Sequence, residues 1–245
     1  MPKAAGTSAP AADSTRSQTL SRGIRLLEIL ADAPGPMTIA ELATALGVHR
    51  SIAYRILRTL EDHRLTMRDE SGGVLSAPGL AALARGVQRD LQSAALPELT
   101  AIANELSMSA LIVVWDLHEC TTLVTVEPRH GHATVLQRLG SRHPIGQGAP
   151  GLAIQSTYTA GEWDALGTGE AYRPAAVEAR ARGYSTSRDE VIGGVSSVAA
   201  PLVVPGQLRA TVAVVYATAA SRLEPDVIGQ RLARAAESIE QALGA

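Results

Sequence analysis

The densest run of chemistry-bearing side chains in this sequence is His49-Arg50-Ser51, followed by Tyr54, Arg55 and Arg58. A guanidinium can bridge phosphate oxygens or the acceptor edge of guanine, and hydroxyl and imidazole groups suit phosphate or base contacts. At about 100° per residue on a helix, Ser51, Tyr54, Arg55 and Arg58 turn away from a stripe of Ala53, Ile56, Leu57 and Leu60. His49 and Arg50 then stand at the leading end, the end that a recognition helix points into the major groove of DNA. Arg68, further along, is placed to reach the flanking backbone. The competing reading is an ordinary solvated helix face, or a face used for protein contacts.

Other chemistries fit the spacing less well. Cys120 follows His118 by two residues but carries no nucleophile signature around it, and reads as a structural or free thiol. Ser196-Ser197 follows Gly193-Gly194 without forming a G-x-S-x-G elbow. His130-Gly-His132, with Glu127 nearby, has the residue types of a metal site, yet two loop histidines are more simply solvated. No phosphate-binding Walker loop is present, nor a G-x-G-x-x-G after a strand. The residues therefore assign no catalytic group, no metal and no cofactor, and an enzyme is not the favoured reading. One further feature is the loop Gly146-Gln-Gly148-Ala-Pro-Gly151, which leads into a helix whose free amides suit an anion.

Composition narrows the field. The 245 residues allow one large or two modest domains. Aromatic residues make up 3% and Phe is absent, so the core must be aliphatic. The net charge of −2 excludes a uniformly basic coat, but its distribution is uneven. Residues 1–85 hold 10 basic and 8 acidic residues, the remainder 12 and 16, so the excess of positive charge lies with the candidate DNA reader. A single cysteine excludes an intramolecular disulfide. Without an apolar run near ~20 residues, and with a first segment lacking a signal core, a cytoplasmic protein with no membrane partner is the expectation.

The elements that must position these groups follow from pattern. Residues 1–17 are small and polar and read as a disordered tail. Leu20, Ile24, Leu27, Ile29 and Leu30 predict a helix that ends at Pro34-Gly35-Pro36. Thr38 and Glu41 form a capping box for a short second helix interrupted by Gly47, and a third runs from about His49 to Arg64. With Ala43 at the helix crossing and Gly47 at the reversal, this is a helix-turn-helix. The runs 65–68 and 74–76 around Gly72-Gly73 predict a hairpin, hence a winged helix. Residues 78–106 read as helical, with Pro78 and Pro97 in first turns. Beyond Ser109 the pattern predicts strands on either side of a His118-Glu119 turn, and at Thr134–Leu139, Val195–Val204 and Arg209–Thr218. Helices are predicted at Pro150–Ser156, Glu162–Leu166, Pro174–Arg182 and Pro225–Leu243. The fold class is α+β with a mostly antiparallel sheet.

With these segments in place, the sequence resembles the IclR family of bacterial transcription regulators. The resemblance rests on SRGIRLLEILADAPGPMTIAELATALGVHRSIAYRILRTLEDHRL, RDESGGVLSAPGL, LGSRHPIGQGAPGLAIQ and RGYSTSRDEVIGGVSSVAAPLVV, in that order. It implies a winged helix-turn-helix over 18–77, a linker helix over 78–92, and a GAF-like domain for effector binding and oligomerisation over 93–245. It also implies an effector against Ile145, Gly148, Ala149 and Pro150, with Ser187, Val195, Ser197, Val214 and Tyr216 around it. Where relatives that bind small carboxylates carry an acidic residue, a Cys and two Ser, this sequence reads Ser187, Ser197, Val214 and Tyr216. Pro150 also removes one amide. The implied effector is thus more apolar or aromatic than glyoxylate or pyruvate. A homodimer on a palindromic duplex operator is expected, with two dimers associating into a tetramer as the resemblance implies. The alternatives are a ligand-blind winged-helix protein whose C-terminal domain serves oligomerisation or protein contacts, and a metabolite enzyme with a vestigial helix-turn-helix.

Overall fold

The structure, a computed structural model, describes residues 17–129, 137–204, 206, 208–219 and 223–244. The expected tail, apart from Ser17, and His130, His132 and residues 134–136 lie outside the described residues. The chain divides into two compact units, Met1–Val87 and Gln88–Ala245.

In the first unit, α1 (Gln18–Asp32) starts at Ser17, whose hydroxyl accepts the Leu20 amide hydrogen. Its buried face is Gly23, Leu26 and Leu30. The predicted stripe is therefore rotated: Leu20 and Ile24 are 64% and 51% exposed, because α2 and α3 pack on the other side. The capping box of α2 (Ile39–Leu46) is present in both directions, with the Glu41 carboxylate accepting the Thr38 N–H at 2.7 Å. That bond holds the Glu41 carboxyl below its usual range. Gly47, at φ +66°, turns the chain into α3 (Arg50–Asp62) through a left-handed conformation that costs glycine nothing.

The wing pairs β1 (Thr66–Arg68) with β2 (Val74–Ser76), Met67 opposite Leu75. Asp69 secures its turn by accepting the amides of Ser71 and Gly73. Val74 also bridges to Met37, a pairing with no sequence signal, which ties the loop before α2 to the wing. Leu26, Leu30, Leu42, Ile56, Leu57 and Val74 form one core.

The helical stretch expected over 78–106 is two helices, α4 (Gly79–Ala84) and α5 (Arg89–Leu106), but the break between them falls before Arg89 and not before Pro97. Gly86 and Gln88, the latter at φ +45°, interrupt it, so Pro97 sits inside α5 rather than in a first turn.

The second unit is built on an antiparallel sheet ordered β5-β4-β3-β8-β7-β6. Its strands are β3 (Ser109–Trp115), β4 (Glu119–Val126), β5 (Arg142–Pro144), β6 (Ser185–Arg188), β7 (Val195–Leu202) and β8 (Arg209–Ala217). Both edge strands escaped the sequence reading, since three- and four-residue polar segments carry no alternation. The described end of the strand predicted at Thr134–Leu139 is bend and turn. Helices α5 and α9 (Pro225–Ala242) cover one sheet face, and α6 (Gly148–Gln155) the other. All seven residues of β3 are consequently buried, which explains its unbroken apolar run. Arg231 of α9 donates to Glu105 at 2.6 Å and to Glu98 at 3.1 Å, fixing α9 to α5. Two further helices, α7 (Ala160–Ala165), with the Thr159–Glu162 capping box, and α8 (Ala175–Arg182), follow α6.

Every residue of α6 is buried, and Gly151 touches the backbone of Ile145 so closely that a Cβ would overlap its carbonyl. Overpacking of this kind costs about 1–3 kcal/mol. Gly151→Ala is expected to lower the unfolding free energy of the C-terminal unit by that amount in urea titration. An unchanged midpoint would show that α6 can retreat from the sheet freely.

Candidate nucleic-acid interface and ligand recess

Helix α3 is anchored by Ala53, Ile56 and Leu57, all buried. The opposite face presents Ser51, Arg55 and Arg58 to solvent, flanked by Tyr54 at 45% exposure. Arg50, Arg55 and Arg58 make no ion pair among the described residues, so their guanidinium groups are available to an external anion. His49 is the N-cap of α3: its Nδ1 accepts the Ser51 N–H at 3.3 Å and lies 2.9 Å from the Ser51 hydroxyl. That role positions its ring and couples it to Ser51. Ile52, which the sequence reading did not single out, is also exposed at this end of the helix.

Arg50 and Arg68 do not join that outward stripe. They line a cleft between the start of α2 and the wing, together with Thr38, Ile39, Ser71 and Gly73. The Nε of Arg68 donates to Glu61 of α3 at 2.7 Å, a partner that the seven-residue separation did not reveal. The wing arginine is thus held against α3, with its outer nitrogens remaining.

In the C-terminal unit, the start of α6 faces β6, β7 and the β6–β7 loop across a narrow recess. Gly148, Pro150, Ser187, Val195 and Ser197 line it, as the resemblance implied. Ala149 contributes its backbone amide, which donates to Ser187 Oγ at 2.9 Å, while its side chain is buried in the core. Ile145 is buried under α6 and does not line the recess.

Val214 and Tyr216 lie on the other sheet face. Val214 pairs with Ala110 and Val198 in the core beneath α5 and α9, and Tyr216 packs against that same core. Side chains alternate along a strand, so a one-residue offset reverses the face. The residue of β8 that lines the recess is Val215, directly opposite Ser197.

Glu190 is the group that sequence reasoning missed. Its carboxylate accepts the Gly148 N–H at 2.9 Å and pairs with Arg173 at 3.0 Å. Arg173 in turn donates to the Gly146 carbonyl at 3.5 Å. Pro150 has no amide hydrogen. The opening of α6, which in the sequence looked like a free anion site, is capped from within the chain.

Two polar side chains in the recess differ from these. Ser197 Oγ is buried without a hydrogen-bond partner among the described residues, its residue 8% exposed. His143 is 5% exposed, and burial lowers its pKa so that the ring is neutral. Its Nδ1 donates to the Pro144 carbonyl at 3.1 Å, which leaves the lone pair on Nε2. Beneath α6, Trp115 stacks on Trp163 with centroids 5.2 Å apart, and Tyr158 meets both edge-on.

Residues 19–70 match the model of the IclR helix-turn-helix domain. The chain is 28% identical over 134 residues to the HTH-type transcriptional regulator Rv1719 of Mycobacterium tuberculosis. That match covers 54% of this chain and 49% of the relative, so the chain spans about half of that protein's length. Residues 19–70 are thus an IclR-type helix-turn-helix domain. The fold of the chain agrees with an IclR transcriptional regulator from Alicyclobacillus acidocaldarius at a TM-score of 0.77 and 22% identity, over 93% of this chain and 99% of the other. It agrees equally, at 0.77 and 20% identity, with an IclR homolog from Microbacterium hydrocarbonoxydans complexed with 4-hydroxybenzoate, over 92% and 99%. The winged helix-turn-helix and the curled antiparallel sheet domain are those of IclR structures.

Cys120 of the C-terminal unit is buried opposite His143, and burial pushes its thiol pKa up to about 12. At pH 8 the folded protein is expected to leave a disulfide reagent such as DTNB unreacted, and to release one thiol equivalent per chain on denaturation. Reaction of the folded protein at the rate of free cysteine would contradict this burial.

Proposed function

We propose that this protein is a sequence-specific DNA-binding transcription regulator of the IclR type whose affinity for its operator is set by a small molecule in the recess beside α6. The observation that carries the reading is the outward face of α3, where Arg55 and Arg58 stand without an ion pair among the described residues, beside Ser51 and its His49 cap, in a domain that matches the IclR helix-turn-helix. In this reading Arg55 and Arg58 bind phosphate, while His49, Arg50, Ser51 and Tyr54 meet base edges or the adjoining backbone. Arg68, oriented by Glu61, contacts the flanking strand. The exposed Leu20 and Ile24 of α1 favour pairing of two copies, and a two-fold dimer reads a palindrome with half-sites about one helical turn apart.

Regulation requires the effector to bind two arrangements of the protein unequally, and residues 79–106 are the covalent route between the two units. The ligand of the Microbacterium homolog, an aromatic acid, is a precedent for an aromatic effector here. A second reading is favoured by one observation: α6 already has its first amides occupied by Glu190 and Ser187, as a domain used only for assembly would. No catalytic role is proposed for either unit.

Selection from random duplexes followed by fluorescence anisotropy at several salt concentrations tests the reading. A palindromic winner bound far above random DNA is expected. Arg58→Ala should weaken all duplexes alike and reduce the salt slope by about 1, the loss of one phosphate contact. Exchange of Ser51 should instead change which sequence wins. Uniform weak binding of every duplex, with and without added aromatic compounds, would sink the regulator reading and leave the assembly role.

A further inference from the structure

Of the four arginines that the DNA reading uses, Arg50, Arg55 and Arg58 have no ion pair among the described residues, while Arg68 has one. Its partner is not the nearest carboxylate. Asp69, the next residue, is committed to the wing turn, where it accepts from the Ser71 and Gly73 amides and from the Ser71 hydroxyl. Arg68 instead reaches back seven residues to Glu61, its Nε 2.7 Å from the carboxylate, with the two side chains 34% and 20% exposed.

Glu61 is poorly placed for its own helix. It lies in the last turn of α3 beside Asp62, with no basic residue in that turn, and carboxylates are disfavoured at the negative end of a helix dipole. It also puts a negative charge on a domain that meets phosphates. What Glu61 obtains in return is the Nε of Arg68. A guanidinium carries five N–H donors in a planar fork, so a carboxylate held at Nε leaves the two outer nitrogens for a phosphate.

The pair acts oppositely on two kinds of duplex. When α3 is seated in register, Arg68 is already oriented, and little side-chain freedom is lost as its outer nitrogens meet the flanking phosphate. On an arbitrary duplex the phosphates do not fall at that place, and the bond to Glu61 keeps the guanidinium from searching for one. Non-specific binding is almost wholly phosphate attraction, so withholding one cation from it raises discrimination.

Resting on the reading of this domain as a sequence-specific DNA binder, we propose that Glu61 is a positioning residue that sets specificity: it holds Arg68 for a phosphate of the correct operator and withholds it from other DNA.

Anisotropy titrations of the full chain with the selected duplex and with a random duplex of equal length, at several salt concentrations, test it. Glu61→Ala is expected to bind the random duplex about three- to tenfold more tightly, with a salt slope steeper by about 1, the gain of one phosphate contact. Its preference for the selected duplex should fall by a similar factor. In an Arg68→Ala background the same change should act on both duplexes alike and leave the preference where it was. Glu61→Gln, which keeps an acceptor for the Nε, should retain more of the preference than Glu61→Ala does. Thermal midpoints of these variants are expected to stay near that of the unaltered chain, since an exposed pair contributes little to stability. An equal gain on both duplexes with Glu61→Ala alone is a bare charge effect and overturns the proposal. So does an unchanged slope on random DNA, or an equal loss of preference with Ala and Gln. If the unaltered chain selects one duplex but Glu61→Ala changes neither slope nor preference, the regulator reading stands and this role falls. If the unaltered chain prefers no duplex at all, the regulator reading falls and takes this role with it.

Discussion

The constraint on which the C-terminal unit depends is the close seating of α6 on the sheet. A sheet covered on both faces must bury both sets of side chains, and here one cover is a helix of only eight residues. So short an element has little side-chain area with which to bury itself, and it settles by backbone approach instead. Gly148, Ala149, Gly151 and Ala153 keep its surface small, and Gly151 meets Ile145 backbone to backbone. Ser185 adds a bond to the Ala149 carbonyl at 2.7 Å. The consequence is positional. Because α6 cannot slide, its first amides stand at a fixed place relative to β6 and β7, and the recess has a definite geometry.

In the N-terminal unit the equivalent constraint is the left-handed turn at Gly47. It fixes the angle between α2 and α3, while the bridge from Met37 to Val74 and the Arg68–Glu61 pair fix the wing. The exposed pair is worth little energetically, because exposed ion pairs rarely exceed about 1 kcal/mol. Its value is orientation. Arg68 is held near the cleft that Arg50 shares, so the two guanidinium groups flank one side of α3 while Arg55 and Arg58 project from its outer face.

Much of the fold was legible because the sequence carries local devices with local causes. The Thr38–Glu41 capping box and the Gly47 turn appear in the structure where their spacing placed them. What escaped had no local cause. Strands β5 and β6 are short and polar, and exist through pairing with β4 and β7. The apolar run of α1 has several possible faces, and only the packing of α2 and α3 selects the one through Leu26 and Leu30. The site divides in the same way. Position within α3 decides which of its side chains face outward, so periodicity sufficed. The recess is assembled from β5, α6, β6, the β6–β7 loop, β7 and β8, and there a one-residue shift exchanged Val214 for Val215. Glu190 was invisible for a related reason: its partners, Gly148 and Arg173, lie 42 and 17 residues away.

The internal carboxylate also bears on how such a recess could regulate anything. A helix start capped only by a ligand would be unsatisfied without it, and the empty domain would lose stability or open. Here Glu190 and Ser187 satisfy the first amides of α6 from within the chain, so that role needs no outside group. Binding free energy is then free to bias an arrangement of the protein rather than to repair it. Only the difference in ligand affinity between two arrangements can shift their balance. The β6–β7 loop is the element suited to register that difference. It carries Glu190 and the exposed Val191 and Ile192, and it is bounded by Asp189 at φ +58° and Gly194 at φ +77°. Its carboxylate reaches α6 and Arg173, while Val191 and Ile192 border the recess itself. The loop that borders the recess is therefore the same loop that caps α6.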